Sequence, residues 1–217
     1  MMRVLFLVAG LATLAMSGLA VSQDAGTRFQ KDVHYTELSP RQPRTIDDDT
    51  IEVAEIFAYS CIHCKNFEPA LEHWLTTKAD YITFTRIPAA WGDPISDMHA
   101  KAFYTAQALG KLDEMHEVLF KEFHDRRNYM ESEAKMQEIF ARFDVDEAEF
   151  KSTFNSFLVS NKINQAKDLM MRYRVAETPI IVVNGKYQSR GAQAGDYGTW
   201  FAIVDELAAR EHAAQSE

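Results

Sequence analysis

The sequence has little cysteine: two residues in 217, both in the single motif Cys61-Ile62-His63-Cys64. With no third cysteine, neither thiol can be tied permanently to a distant part of the chain. A bond between residues this close encloses too small a loop to staple a fold. A second CxxC is missing, so the tetrahedral zinc site that paired motifs build is excluded. The seven histidines are scattered, and Lys65 rather than histidine follows Cys64, which excludes covalent haem attachment. Basic residues are short, with 23 Lys and Arg against 32 Asp and Glu for a net charge of −9. That balance argues against nucleic acid, which wants a basic face. Beyond the N-terminus there is no apolar run long enough to cross a membrane.

The main apolar run is at the start. Arg3 supplies a small positive region, and Val4 to Met16 is apolar except for Gly10 and Thr13. Ser17-Gly18-Leu19-Ala20 places small residues for cleavage after Ala20, and Ala20-Val21-Ser22 is a second candidate site. The apolar stretch is shorter than the ~20 residues of a span. Residues 1–20 are therefore read as a cleaved secretory signal, outside the fold. Export changes how the cysteines read, because a disulfide persists outside the cytosol. An exported chain whose only cysteines form a CxxC is expected to handle disulfides rather than be held together by one.

At 47% hydrophobic and 25% charged, the remainder reads as a soluble globular protein with a real core. Ile51 to Tyr59 is a strand signal, interrupted by Glu52 and Glu55. After the motif, Phe67, Leu71, Trp74 and Leu75 recur near helical spacing, and Pro69 predicts a kink in that helix. Tyr81 to Ile87 reads as the next strand. Helical patterns then cover Ser96–Leu109, Leu112–His124, Glu133–Phe143 with Ser132 as N-cap, a short helix capped by Asp146, and Ser156–Tyr173. Strand signals resume at Pro179–Val183, turn at Asn184-Gly185 and continue through Lys186-Tyr187. Asp196 to Ala209 is a last amphipathic helix, and Tyr35 to Leu38 a short edge strand. The order is βαβ, a helical block, then ββα. This predicts an α/β protein with a thioredoxin-like fold, residues 24–90 and 174–212, interrupted by an all-helical insertion, residues 91–173.

The cysteines stand where a strand ends and a helix opens. A helix N-terminus carries about half a positive charge and free N–H groups, and both favour a thiolate. Cys61 is the expected nucleophile. Cys64, one turn further in, is expected to be buried and to act as the resolving thiol. His63 between them is placed to donate a hydrogen bond to the Cys61 thiolate, or to add positive charge beside it.

Taken together, the signal segment, Phe57-Ala58-Tyr59-Ser60-Cys61-Ile62-His63-Cys64, the helical insertion, and Thr178-Pro179 ahead of Val183-Asn184-Gly185-Lys186-Tyr187 resemble the DsbA-type thiol:disulfide oxidoreductases of the bacterial periplasm. The resemblance covers most of the mature chain. It implies a cis peptide before Pro179, with the backbone of Thr178 open to an incoming peptide beside the CxxC. It also implies that Glu55 is a buried proton relay beneath Cys64, for which Arg86 is a candidate cationic partner. DsbA is the standard case of a disulfide made strongly oxidising because its reduced form is stabilised. Two positions depart from the family's usual pattern: Ile62 stands where proline is common, and Thr178 where valine is common.

The activity so implied is a periplasmic protein disulfide oxidase with no organic or metal cofactor. Its partners would be folding exported proteins with cysteines and a membrane reoxidant of the DsbB type, and the chain would be a monomer. A reductase or isomerase on the same scaffold is the nearest alternative. A copper(I) carrier using the two soft thiolates is the alternative from another class.

Overall fold

The computed structural model describes residues 28–215, so the expected signal segment lies outside the described residues. Within them, β1 (Thr36–Glu37), β2 (Ile51–Phe57), β3 (Ile82–Pro88), β4 (Ile180–Val183) and β5 (Tyr187–Arg190) form one mixed sheet in the order β1-β5-β4-β2-β3. Helix α1 (Ile62–Leu75) is the crossover between the parallel strands β2 and β3. β4 runs antiparallel to β2, and β5 to β4.

Every residue of β2 is buried. A strand covered on both faces reads as a near-continuous apolar run, which leaves Glu52 and Glu55 as the residues to explain. Glu52 is bonded in place: its carboxylate accepts from the Thr45 backbone N–H at 3.1 Å and from the Thr85 hydroxyl at 2.9 Å. Glu55 is treated with the site below.

The Asn184-Gly185 turn joins β4 to β5 with φ of 52° and 63°. Positive φ at both central residues is the type I′ hairpin. At Gly185 a Cβ would collide with the carbonyl oxygen of Gln42, so glycine is required there.

Between β3 and β4 lie α2 (Pro94–Ala108), α3 (Leu112–His124), α4 (Glu133–Ala141), α5 (Glu147–Phe154) and α6 (Phe157–Arg172). Asp93, Ser132, Asp146 and Ser156 cap four of these, each side chain accepting a first-turn N–H. The chain closes with α7 (Gly191–Ala194), which the sequence pattern did not announce, and α8 (Tyr197–Gln215), which continues past Ala209. Helix α1 runs unbroken through Pro69. That residue is on the exposed face, where water can serve the carbonyl it frees.

Side chains alternate across a strand, and the sheet separates two cores. Ile51 and Val53 of β2, with Ile181 and Val183 of β4, pack against Phe67, Leu71 and Trp74 of α1 and Trp200, Val204 and Leu207 of α8. Ala54, Ile56, Ile180 and Val182 pack against the helical block. On the first side the Phe201 ring stacks on both Phe67 and Trp74, at 5.3 and 5.2 Å between centroids. Each large apolar side chain so buried contributes about 1.5–3 kcal/mol, and this anchors α1 against the sheet. No helix among the described residues is long and apolar enough to cross a membrane.

Candidate active site

Cys61 is the N-cap of α1, with extended backbone at φ −86° and ψ 113°. An N-cap side chain normally offers oxygen to the unpaired N–H groups of the first turn. Here sulfur does so, and the Cys64 N–H donates to Cys61 Sγ at 3.2 Å. Both cysteines are free thiols, Cys61 half-buried and Cys64 buried.

The two thiols are held far apart in acidity. Cys61 is lowered to about 5, first by the hydrogen bond from the Cys64 thiol and, against the opposing effect of burial, by the Thr178 side chain and the backbone N–H groups of Cys64 and His63. Burial pushes Cys64 strongly upward, reinforced by its bond to Cys61 and by the Cys61 and Glu55 charges. One sulfur is therefore built to be an anion and the other to keep its proton. His63 itself is exposed, and the group through which it lowers the Cys61 thiol is its backbone N–H.

Thr178 and Pro179 arrive from the loop before β4, and their peptide bond is cis. The Thr178 carbonyl accepts from the Cys61 thiol at 3.2 Å. Thr178 thus acts both ways: its carbonyl favours the protonated sulfur, and its side chain favours the anion.

Glu55 is fully buried on β2, and neither carboxylate oxygen has a hydrogen-bond partner. Burial raises it well above the usual carboxylate range, and the Glu68 charge adds to this while Arg86 opposes it. Arg86 sits directly opposite Glu55 in the parallel β2–β3 register, with Nε 3.6 Å from Glu55 Oε2. Its Nη2 reaches two acids of α1, Glu68 at 3.1 Å and Glu72 at 2.6 Å.

The cluster extends further than the sequence reading did. Glu68 Oε1 lies 3.4 Å from Nε2 of His116 on α3, and His116 Nδ1 is 2.8 Å from the Tyr59 hydroxyl. For Glu68 a signal was available, since it lies one turn beyond Cys64 on the same helix. His116 has none, because only the packing of α3 onto α1 brings it there. A second link between those helices is the ion pair of Lys65 with Asp125. No group of three or more side chains suited to hold a metal ion occurs among the described residues.

Comparison with known proteins places this arrangement. A family model described as a DSBA-like thioredoxin domain matches residues 76–197, from the end of α1 to the start of α8. The CxxC precedes that stretch but lies within the span shared with full-length relatives. The thiol:disulfide interchange protein DsbA of Pseudomonas aeruginosa is 34% identical over 213 residues, 98% of this chain and 99% of that protein. The protein of that name from Pseudomonas syringae pv. tomato is 32% identical over 208 residues, 96% of each. The crystal structure of Pseudomonas aeruginosa DsbA matches with a TM-score of 0.81 at 32% identity, covering 87% of this chain and 97% of that one. The oxidoreductase DsbA from Xylella fastidiosa matches with a TM-score of 0.77 at 30% identity, covering 83% and 96%.

Proposed function

The chain belongs to the DSBA-like thioredoxin domain family, and on that premise we propose that it works in the periplasm of a Gram-negative bacterium, passing its disulfide to exported proteins as they fold. It is a thiol:disulfide oxidoreductase. The direction, the site roles, the clients and the compartment are our reading.

In that reading residues 1–20 are a signal peptide removed on export, and residues 91–173 are an insertion within the thioredoxin-like domain. A substrate thiolate attacks Cys61 Sγ of the oxidised pair. The Cys61–Cys64 bond breaks, its electron pair goes to Cys64, and Cys64 takes a proton from Glu55. A second substrate thiolate then attacks the substrate sulfur of the mixed disulfide and expels Cys61 as a thiolate. The substrate leaves with a disulfide, and the protein keeps two electrons as a dithiol. A membrane partner of the DsbB type reoxidises it: Cys61 attacks that partner's disulfide, and Cys64 resolves the bond after returning its proton to Glu55. Thr178 and Pro179 border the reacting sulfur and meet the incoming peptide backbone, and His63 presents its N–H to the anion.

The observation that carries this reading is the opposed acidity of the two thiols. A Cys61 with a pKa of about 5 is a good leaving group and makes the dithiol the stabilised state. Because that sulfur is half exposed, solvent screening reduces the gain at pH 7 to on the order of 1–2 kcal/mol. This amounts to roughly 20–40 mV in the oxidising direction.

The test is the reduction potential of the Cys61/Cys64 couple, equilibrated against a glutathione series and read by thiol trapping. A potential well above the glutathione couple supports an oxidase. A potential near or below thioredoxin's, about −270 mV, makes it a reductase instead.

A further inference from the structure

His116 takes no part in the exchange steps above, yet it is a buried titratable group next to them. Its ring is buried, edge-on to Phe57, Phe103 and Phe120 at 5.0, 6.1 and 5.2 Å between centroids. The polar and charged groups that face it are Tyr59 from the β2–α1 connection, Glu68 and Glu72 from α1, and Arg86 from β3. α2 presents the Phe103 ring to it.

The geometry orients the imidazole. Burial keeps the Tyr59 phenol protonated and His116 neutral. A neutral imidazole has one donor and one acceptor nitrogen. The Tyr59 hydroxyl, buried 2.8 Å from Nδ1, has that nitrogen as its acceptor. The ring proton is then on Nε2, which faces Glu68 Oε1 at 3.4 Å. Glu68 is lowered despite its burial, first by His116 and then by Arg86. Glu55, on the other side of Arg86, is shifted the opposite way.

Buried Glu55 and half-buried Glu68 share one guanidinium, so their titrations belong to the pair. A proton bound there resides on whichever acid has the weaker support. Glu68 accepts from Arg86 Nη2 at 3.1 Å and has the His116 ring 3.4 Å away, and Glu55 has no hydrogen-bond donor at all. The proton therefore sits on Glu55, the acid whose charge acts on Cys64.

We propose that His116 is a positioning residue for proton exchange at Cys64: its Nε2–H, 3.4 Å from Glu68 Oε1, favours the Glu68 carboxylate already bonded to Arg86 and so keeps the shared proton on Glu55. This rests on the reading of Glu55 as the proton carrier for Cys64. Without the His116 donor, the proton moves toward Glu68 and Glu55 becomes the weaker base.

The test isolates one step in the full chain. Cys61 is loaded as a mixed disulfide with glutathione. Cys64 attacks Cys61 Sγ, glutathione leaves as its thiolate, and the Cys64 proton goes to Glu55. The release rate is followed against pH. The H116N amide reaches the Nδ1 position and serves Tyr59 but not Glu68. The H116Q amide reaches the Nε2 position and still presents an N–H to Glu68. The expected result is an inflection moved down by about one pH unit in H116N, a tenfold loss of Glu55 proton affinity, with H116Q at the wild-type position. E68Q moves the inflection the same way, and adding H116N to E68Q changes nothing further. Profiles of H116N and H116Q that both match wild type, or that move together, overturn the proposal. Should H116N not fold, the same decision falls to E68Q and the E68Q/H116Q pair, since any shift of His116 origin on the E68Q background also overturns it. E55Q separates the two levels: if it loses the inflection while H116N keeps it, the His116 role alone fails. If E55Q keeps the wild-type inflection, the Glu55 reading fails and takes the His116 role with it.

Discussion

Glu55 and Arg86 face each other across the β2–β3 pair in direct register, yet the guanidinium Nε stops 3.6 Å from the Glu55 carboxylate while its Nη2 bonds Glu68 and Glu72. A distance of 3.6 Å is outside hydrogen-bond range. Arg86 therefore lends Glu55 charge without a bond, and desolvation wins: the carboxyl is driven toward its neutral form. In the proposed exchange, an acid raised above the usual carboxylate range is what the buried Cys64 requires.

The thiolate of Cys61 titrates near pH 5. Ultraviolet thiolate absorbance of the reduced protein should show a midpoint at about 5 that C61S abolishes. Removing the Cys64 donor in C64A should raise it by on the order of one unit, since that thiol is the largest single cause of the depression. An unchanged midpoint in C64A would assign the effect to the backbone N–H groups instead.

The reduced form should owe part of its stability to that anion. A group with a depressed pKa contributes fully above its unfolded value, about 8.5 for cysteine, and loses the contribution as pH falls through its folded value. Thermal unfolding of the reduced and oxidised forms should show their difference shrinking from pH 8 downward. It levels off below about 5.

Replacing Glu55 should act on both stability and exchange. Its pKa is raised, so its contribution is present below the unfolded value near 4.3 and lost as pH rises through the folded value. E55Q should remove that decline, leaving it more stable than wild type at pH 8, where the wild-type carboxyl has to carry its charge in a desolvated site. Denaturant titrations at pH 5 and 8 check this. A wild-type stability as flat as that of E55Q would mean the carboxyl does not titrate in this range.

Thr178 should tune the couple. T178V removes the side-chain bond to the thiolate and keeps the carbonyl that favours the thiol. The Cys61 midpoint should rise by about half to one unit, and the couple should become less oxidising by about 15–30 mV. Both are read from the thiolate titration and the glutathione equilibrium.

Phe67 fixes α1 on the sheet. It is fully buried and stacked on Phe201, so F67A should cost about 3–5 kcal/mol, measured by chemical denaturation. A loss below 1 kcal/mol would mean the helix is held by other contacts.

Much of the fold is legible in the sequence because it is written in local patterns. Period-3.6 apolar spacing, the Ser132 and Asp146 caps, and Asn184-Gly185 each act within a few residues. The last turns of α8 and the short α7 were missed: the first lacks a stop signal, and the second is set by the close packing of Gly191 on the Trp200 ring. The site divides in the same way. Cys61, Cys64 and the opening of α1 are one contiguous stretch, and their chemistry follows from that stretch alone. Glu55 was visible as one of two acids in an otherwise apolar strand.

What only the tertiary structure decided is what surrounds that stretch. The parallel pairing of β2 with β3 sets Arg86 opposite Glu55. Packing of α3 against α1 sets His116 between Glu68 and Tyr59, and the loop before β4 brings the Thr178 carbonyl to Cys61. The sequence determined by itself that there would be one reactive CxxC at a helix N-terminus, because cap, thiol and dipole lie within four residues. It could not determine the proton affinities around that pair. Those depend on groups brought into a desolvated space from far along the chain, Arg86 22 and His116 52 residues beyond Cys64, where the local dielectric and distance are products of folding.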